Sequence, residues 1–596
     1  MCGVLGIYSQ NSELSVELFR SALSLLKHRG PDYQGIFVSS SQKLLLGHTR
    51  LSILDPSFKA NQPMEYDSSV IVYNGEIYNH QTLRSELNAN FKTTSDTETL
   101  MVGLKEMGVQ FFSKCLGMYA GAFYEEKNNE LTLFRDPLGI KNLFYYKANN
   151  FIIFSSEIKS IFHALKGASF EIDNEVLGEY LTFENYAQGK TLFKKVYTLL
   201  PGQIIRVDEH IDLHLDTIDS YKKELVHNHV DYVLNGRITI ESSVKRHLLS
   251  DYPIGVYLSG GIDSSLVASL AVKNRADIIA FTGFFRGQAG YYDERPYSRL
   301  VANYLKLDLH EVEISHQHFE SRFDKLVYHL ETPKMGMGAF SQFIVAEEAA
   351  KYRRVILAGH GGDELFAGYP MFKAFWMAEN FGKIPQISAK ELPWIVYFFI
   401  NKFLKRRIYF APQIFKKSNV GEGIFWVKGN DGGIQRLFNY YQSCYIPGLL
   451  EVEDKVSMGH SLETRVPFWD LEVLNFAQTI PIENKLQGGV LKSLLREIAK
   501  PFLPKELFEA PKSGFPTPLR FWFRKELFDF VHERLEKDSS LLDAVMEKKQ
   551  RKGLLKSLKN IRLPFVFDEI RAHKVWMLLC LESVERQFGV KIDSGY

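Results

Sequence analysis

A chain of 596 residues is too long for one compact core and predicts roughly two to four domains. Its 45% hydrophobic, 24% charged and 13% aromatic residues exclude a disordered or fibrous protein. Lys and Arg total 72 against 70 Asp and Glu, so no whole-chain basic excess favours nucleic acid or an anionic membrane, although a local patch stays open.

In chain order, short apolar runs between turn signals make the first ~200 residues β-rich: Lys43–Leu46, Val70–Tyr73, Leu131–Phe134, Leu143–Tyr146 and Phe151–Phe154. Helical periodicity interrupts them at Val16–Lys27 and Thr97–Met107. Pro201 and Gly202 open a last strand, Gln203–Val207, and the polar segment 208–230 reads as a linker. A different pattern follows: helix Tyr232–Leu249, strand Ile254–Leu258, the turn SGGIDSS, helix Ser265–Asn274 and strand Ile278–Phe281. A later strand, Val355–Ala358, runs into a second glycine turn, GHGGDE. Strand, glycine loop, helix, strand signals a parallel α/β sheet with ligands at the strand ends. Met371–Ser443, aromatic and basic, has no detailed assignment.

Cys2, Cys115, Cys444 and Cys580 form no CxxC pair, which argues against a zinc ribbon or disulfide framework and suits a reducing, cytoplasmic setting. The start, MCGVLGIY, has no basic segment before an apolar run, so no secretory signal is expected. The most apolar stretch, Leu392–Ile400, is about half the ~20 residues of a membrane span. An amphipathic helix covering the core is expected there, with Lys402, Lys405, Arg406 and Arg407 leaving a peripheral membrane contact open.

Two constellations carry chemistry. Cys2 follows Met1 directly, and removal of Met1 would leave a thiol and a free α-amine on one residue. Such an amine titrates near ~7.7–8.0 and can take the thiol proton without a histidine. Alone, that placement says little, and NGE by itself reads as a hairpin turn. The sequence then adds HRGPD (His28–Asp32), RLSILD (Arg50–Asp55), NGEIYN (Asn74–Asn79), SDTE (Ser95–Glu98) and RDPLGIK (Arg135–Lys141). Together these resemble the glutaminase domain of the glutamine-hydrolysing asparagine synthetase family over about residues 2 to 205. The resemblance implies an N-terminal-nucleophile αββα sandwich at 2–207 with Cys2 as nucleophile. The side-chain amide of Asn74 and the backbone N–H of Gly75 would form its oxyanion hole. Arg50 would grip the glutamine carboxylate with its planar fork, Glu76 and Asp96 would accept from the ammonium, and Leu51, Ser52, Ile53 and Leu54 would complete the pocket.

SGGIDSS, Ser259–Ser265, follows a strand and opens a helix, so its glycines let backbone approach phosphate while the helix N-terminus favours an anion. No GxxxxGK[ST] motif exists. The heptapeptide is similar to the loop of ATP pyrophosphatases, which hold pyrophosphate as leaving group. The likeness to the synthetase half continues through AGHGGDELFAGY (Ala358–Tyr369), EDKVSMGHSLETRVPFWD (Glu453–Asp470) and LKSLLRE (Leu491–Glu497). It implies an α/β ATP-pyrophosphatase domain at 231–596. ATP would lie on Leu258, Ser259, Gly260, Gly261, Asp263, Ser264, Ser265, Thr282, Ala358 and Gly359. Asp263 and Asp363 would hold Mg²⁺, and Lys492 would stabilise charge on the adenylating phosphate. The implied reaction converts aspartate, glutamine and ATP to asparagine, glutamate, AMP and pyrophosphate through an acyl-adenylate. Its partners would be glutamine, ATP and a carboxylate acceptor, with no nucleic acid or transmembrane span and a homodimer left open.

Two departures fall in the acceptor pocket. His360 stands where the family has a glutamate, and ETPKMGMGAFSQF (Glu331–Phe343) lacks the arginine- and threonine-bearing pattern associated with aspartate. Gly336, Gly338 and Ala339 make that wall small, so a larger carboxylate, such as a surface-polysaccharide uronic acid or a specialised metabolite, is the alternative acceptor. A tRNA-modifying pyrophosphatase would want a basic groove and catalytic cysteines, and a non-catalytic sensor would not need Cys2, Asp263 and Asp363. A ring-closing synthetase tends to lose the cysteine that this chain keeps.

Overall fold

The computed structural model describes residues 2–10, 14–166, 168, 170–219, 231–287, 292–380, 385–388, 391–404, 407–409, 413–415, 425–428, 433–509, 517–559 and 565–592. Twelve strands lie in the first part of the chain: β1 (Gly3–Ser9), β2 (Tyr33–Val38), β3 (Leu44–Arg50), β4 (Met64–Tyr66), β5 (Ser69–Ile77), β6 (Gly117–Glu125), β7 (Glu130–Arg135), β8 (Phe144–Lys147), β9 (Phe151–Ser155), β10 (Val196–Thr198), β11 (Gln203–Val207) and β12 (Leu213–Thr217). They form two antiparallel six-stranded sheets, ordered β10-β8-β9-β1-β3-β2 and β12-β11-β7-β6-β5-β4.

Side-chain alternation explains why these strands read as apolar runs. Along β3, Leu44 and Leu46 enter the core between the sheets, while Leu45 faces the outer layer of helices Val16–Ser24 and Ile158–Ala164. Along β5, Val70 and Val72 point inward, and Ile71 and Tyr73 pack under helix Asp96–Met107. Both faces of each sheet are covered, so neither series can be polar. The αββα sandwich is therefore present. The segment 208–230, expected as a linker, instead begins by adding β12 to the second sheet through Gln203–Thr217 pairing with β11. Its polar sequence follows from the edge position, where Leu215 is 67% exposed; residues 220–230 lie outside the described residues.

In the second part, β13 (Ile254–Tyr257), β14 (Ile279–Phe285), β15 (Asp308–Ile314) and β16 (Val355–Leu357) precede a small antiparallel pair, β17 (Arg407–Tyr409) and β18 (Trp426–Lys428), and then β19 (Glu463–Arg465). The main sheet is parallel, in the order β15-β14-β13-β16-β19. Strand order reverses between β13 and β16, which opens a crevice at their carboxyl ends. Both glycine loops leave the sheet there. The helix after the first loop begins at Ile262 rather than Ser265, with Gly261 as its N-cap, so Asp263 belongs to its first turn.

The two parts meet through buried charge. Arg29 is fully buried and donates to Glu157 at 2.9 Å and to Asp454 at 2.8 Å, which also takes Lys141 at 3.2 Å. Lys159 bridges Glu157 to Glu331, Lys455 joins Glu331 at 3.1 Å to Glu451 at 3.5 Å, and Glu451 receives Lys334 at 2.9 Å. Unpaired ions in such a setting are expensive, whereas a fully connected set is tolerated in one arrangement only. Burial alone would raise Glu451, but Lys334 and Lys455 hold it at about 2. A carboxyl that ionises at about 2 in the fold and near 4.5 in the open chain stabilises the fold by roughly 3 kcal/mol. The effect is fully present above about pH 4.5 and is lost as pH falls towards about 2. Glu451→Gln should therefore lower stability at pH 7 by about 3 kcal/mol or more and flatten the acid limb of a urea-denaturation series; an unchanged midpoint at neutral pH would refute this role.

Candidate active site

Cys2 lies at the mouth of β1, 8% exposed, beside Asn74 of β5. Its backbone N–H donates to Asn74 Oδ1 at 2.8 Å, and its carbonyl accepts from Arg29 Nε at 3.0 Å. The nitrogen that would become the α-amine is thus held by Asn74. Burial raises the thiol above its ordinary value. Asn74 Nδ2 is buried with no hydrogen-bond partner among the described residues, a costly arrangement unless a ligand oxygen fills it. Gly75 is held to glycine by packing, since a Cβ there would come within 2.1 Å of the Met118 carbonyl oxygen.

A small cavity joins Cys2 to Arg50, Leu51, Ile53, Leu54, Gly75, Glu76 and Asp96. Asp96 opens its helix behind the N-cap Ser95 and accepts from the Ile77 N–H at 2.9 Å and from the Tyr73 hydroxyl. Arg50 is turned onto its own loop, donating to the Ser57 carbonyl at 2.8 Å, Asn61 Oδ1 at 2.7 Å and the carbonyls of Leu54 and Asp55. Ser52 does not line the cavity; its N–H donates to Asp32 at 2.8 Å and its carbonyl accepts from Arg354 at 3.2 Å.

Glu76 brings in the second domain. Burial and then the Asp96 carboxylate push it well above the ordinary carboxylate range, and Arg465 opposes them from 3.6 Å. Arg465, fully buried on β19, also holds Glu463 at 2.6 Å and the carbonyls of His247 and Leu249. Burial would raise Glu463, but neighbouring positive charges, Arg465 among them, hold it at about 2. The Arg465 carbonyl accepts from the Ala358 N–H at 2.8 Å, at the root of the second glycine loop. Arg465 was not singled out from the sequence, although a charged pair inside LETRVPF is a usable signal, because ions within a short apolar strand must be paired.

At the crevice, Lys492 Nζ contacts Asp363 Oδ1 at 2.7 Å and also Asp263. Burial would lower the lysine, but the two carboxylates raise it well above its usual value. Lys492 caps its helix in a left-handed conformation, φ 56°. Glycines allow the close approach: a Cβ on Gly362 would lie 2.6 Å from Asp263, and one on Gly368 would lie 1.7 Å from Asp363. Gly260, φ 76°, would press a Cβ to 2.5 Å from Tyr297. The hydroxyls of Ser259 and Ser264 lie 3.0 Å apart, and Ser265, Leu258, Thr282 and Ala358 are buried around them. Gly359 packs a would-be Cβ at 2.8 Å from the Ser264 N–H. Two carboxylates converging on one ammonium beside a helix N-terminus fit Mg²⁺ carried on a polyphosphate, which needs one or two protein carboxylates. His360 Nδ1 is buried without a hydrogen-bond partner among the described residues.

Sequence comparison agrees with this two-site architecture. The Glutamine amidotransferase domain model matches residues 1–214, and the Asparagine synthase model matches residues 235–581. The chain is 30% identical to Asparagine synthetase [glutamine-hydrolyzing] 1 of Bacillus subtilis over 92% of each chain. It is 27% identical to Asparagine synthetase [glutamine-hydrolyzing] 3 of the same organism over 94% of each. It is also 26% identical to Amidase chry2 of Gibberella zeae, over 85% of this chain and 86% of that one. With a glutamine amidotransferase domain in front and an asparagine synthase domain behind, the chain belongs to the glutamine-hydrolysing asparagine synthetase family, enzymes of glutamine-dependent amidation.

Proposed function

We propose that residues 2–217 hydrolyse glutamine and that the parallel-sheet domain uses ATP to activate a carboxylate for capture of the ammonia. The observation that carries this is Cys2, whose nitrogen is bound by Asn74 Oδ1 while Asn74 Nδ2 is buried with no hydrogen-bond partner among the described residues. Once Met1 is removed, the free amine takes the thiol proton and Sγ attacks the glutamine amide carbon. Asn74 Nδ2 and the Gly75 N–H receive the oxyanion, ammonia leaves, and a γ-glutamyl thioester remains for hydrolysis. Glu76 and Asp96 face the substrate ammonium, and Arg50 faces its carboxylate. In the crevice, the glycine loop holds the pyrophosphate end of ATP while the acceptor carboxylate attacks the α-phosphorus. Asp263 and Asp363 would hold Mg²⁺, which when bound neutralises phosphate charge. Lys492, released from them, turns to the adenylating phosphate. Ammonia then displaces AMP and leaves an amide.

Aspartate is the first acceptor to consider. A bulkier carboxylate, such as a uronic acid or a specialised metabolite, is favoured by one observation: a Cβ added at Gly338, in the segment that lacks the aspartate-type pattern, meets nothing within 4 Å, so the backbone there has open space beside it. A screen of aspartate and uronic-acid sugar nucleotides, read as AMP release with glutamine present, decides between them. AMP release with aspartate alone would remove the second reading.

Cys2→Ala should lower glutamine-dependent product formation by at least about a thousand-fold and leave the reaction with added ammonium salt intact. Equal loss of both would contradict the division of labour. Arg465→Met removes the positive charge that opposes the upward shift of Glu76, so the Glu76 carboxyl should bind its proton at higher pH. Because the ionised form is needed to hold the substrate ammonium, the acid limb of kcat/KM for glutamine should move to higher pH. The ammonia-dependent profile should stay in place, and an unmoved glutamine limb would disprove the contact's role.

A further inference from the structure

Glu184 is the C-cap of helix Asn174–Phe183, in the left-handed conformation with φ 52°. A non-glycine residue held there points to a constraint from its surroundings. Those surroundings are the synthetase half. The Glu184 carbonyl accepts from the Met335 N–H at 2.8 Å, in the segment whose glycines wall the acceptor side. Next to it, the Asn185 amide donates to the Cys444 carbonyl at 3.2 Å, inside the π-helical turn Tyr441–Tyr445. Turns of that kind are rare and recur at functional sites.

The Glu184 carboxylate is only half used. His573, on helix Phe565–Phe588, brings Nδ1 to 2.8 Å from Glu184 Oε2. A carboxylate only accepts, so Nδ1 carries the proton. Glu184 Oε1 is buried with no hydrogen-bond partner among the described residues, which is costly unless a ligand donates to it. Gly336, φ 78°, permits the pair: a Cβ there would lie 3.1 Å from Glu184 Oε2 and 3.7 Å from His573. One turn earlier on the same helix, Glu569 takes Arg520 at 3.2 Å. Burial would lower His573, but Glu184 and then Glu569 raise it above its ordinary value. Two carboxylates thus face two basic groups, and the cluster has no excess negative charge with which to select an ammonium. Its open oxygen suits a neutral donor, a hydroxyl.

Tyr445 links this pair to the second glycine loop. Burial, and then the Glu364 carboxylate, push the Tyr445 hydroxyl well above its usual range, with Asp363 and Glu184 adding to the effect. Its ring lies 5.5 Å from that of Tyr369, whose hydroxyl donates to Glu364 at 2.5 Å. The tyrosine thus stands between the loop carboxylates and Glu184. We propose that Glu184, oriented by His573, determines acceptor specificity, its Oε1 accepting from a hydroxyl on the non-reacting end of the acceptor. Glu184 can act so only where a carboxylate is activated at the second glycine loop, and the assignment rests on that reading. A molecule reaching from the loop to Glu184 spans the breadth of a tyrosine side chain. The acceptor is therefore a hydroxylated carboxylic acid of sugar size, larger than aspartate.

The test follows AMP release with ammonium salt as the nitrogen source and either aspartate or UDP-glucuronate as the acceptor. UDP-glucuronate should support turnover. Glu184→Ala should raise its KM at least about ten-fold, with kcat and the KM for ATP within about two-fold of the unsubstituted chain. Glu184→Gln, which keeps an accepting oxygen in place, should recover most of that loss. A KM for UDP-glucuronate unmoved by Glu184→Ala overturns the proposal, as does a parallel rise in the KM for ATP, which a merely structural role would give. Turnover of aspartate without turnover of UDP-glucuronate also overturns it and leaves carboxylate amidation standing. AMP release with neither acceptor sinks that broader reading together with this one.

Discussion

The desolvated charges between the two domains are the constraint on which the rest depends. Arg29 is wholly buried, and it spends its guanidinium on the Cys2 carbonyl, on Glu157 and on Asp454 of the second domain. An ion in that position tolerates no loose docking, because each lost partner leaves a charge stranded in a medium that cannot solvate it. The nucleophile's backbone is therefore registered against the synthetase half by the same side chain that satisfies both. The chain of pairs continues through Lys159, Glu331, Lys455 and Glu451 to Lys334, in the wall next to the acceptor pocket.

A shorter connection runs through β19. Three residues long, it closes one edge of the parallel sheet, sends Arg465 towards Glu76, and receives the N–H of Ala358 on its carbonyl. Glu76 and the root of the second glycine loop are thus joined through a single residue, Arg465. The loop that walls the glutamine cavity is fixed from the same side, since the Asp55 N–H donates to Asp251 at 2.8 Å and the Ile53 carbonyl accepts from the Asp251 N–H at 3.0 Å. The Cys2 cavity and the glycine-loop crevice share supports rather than merely sharing a chain.

The sequence made local chemistry legible and long-range pairing illegible. SGGIDSS could be read because loop chemistry is written in adjacent residues, Asn74 and Gly75 only through the family resemblance, since they lie inside β5 and not in a turn, and the αββα strands could be read because Leu44–Leu46 and Val70–Tyr73 are apolar on both faces. β12 was missed because an edge strand with His214, Leu215 and Thr217 exposed has no need of an apolar pattern. β19 was missed for the opposite reason: Glu463 and Arg465 are buried, and only their mutual pairing makes that tolerable. The loop helix begins at Ile262, earlier than periodicity indicates, because a glycine N-cap leaves no apolar signal. For Leu392–Phe403, composition revealed a helix but not which of its apolar faces the fold would cover.

Lys492 has one more consequence. Tethered between Asp263 and Asp363, its ammonium occupies the charge position that a divalent ion would take. A bare cation must evict a covalently attached competitor, at full desolvation cost to the lysine. One that arrives already complexed to a triphosphate brings oxyanions to which the displaced side chain can swing. The crevice is in this sense half-neutralised, one ammonium standing against two carboxylates.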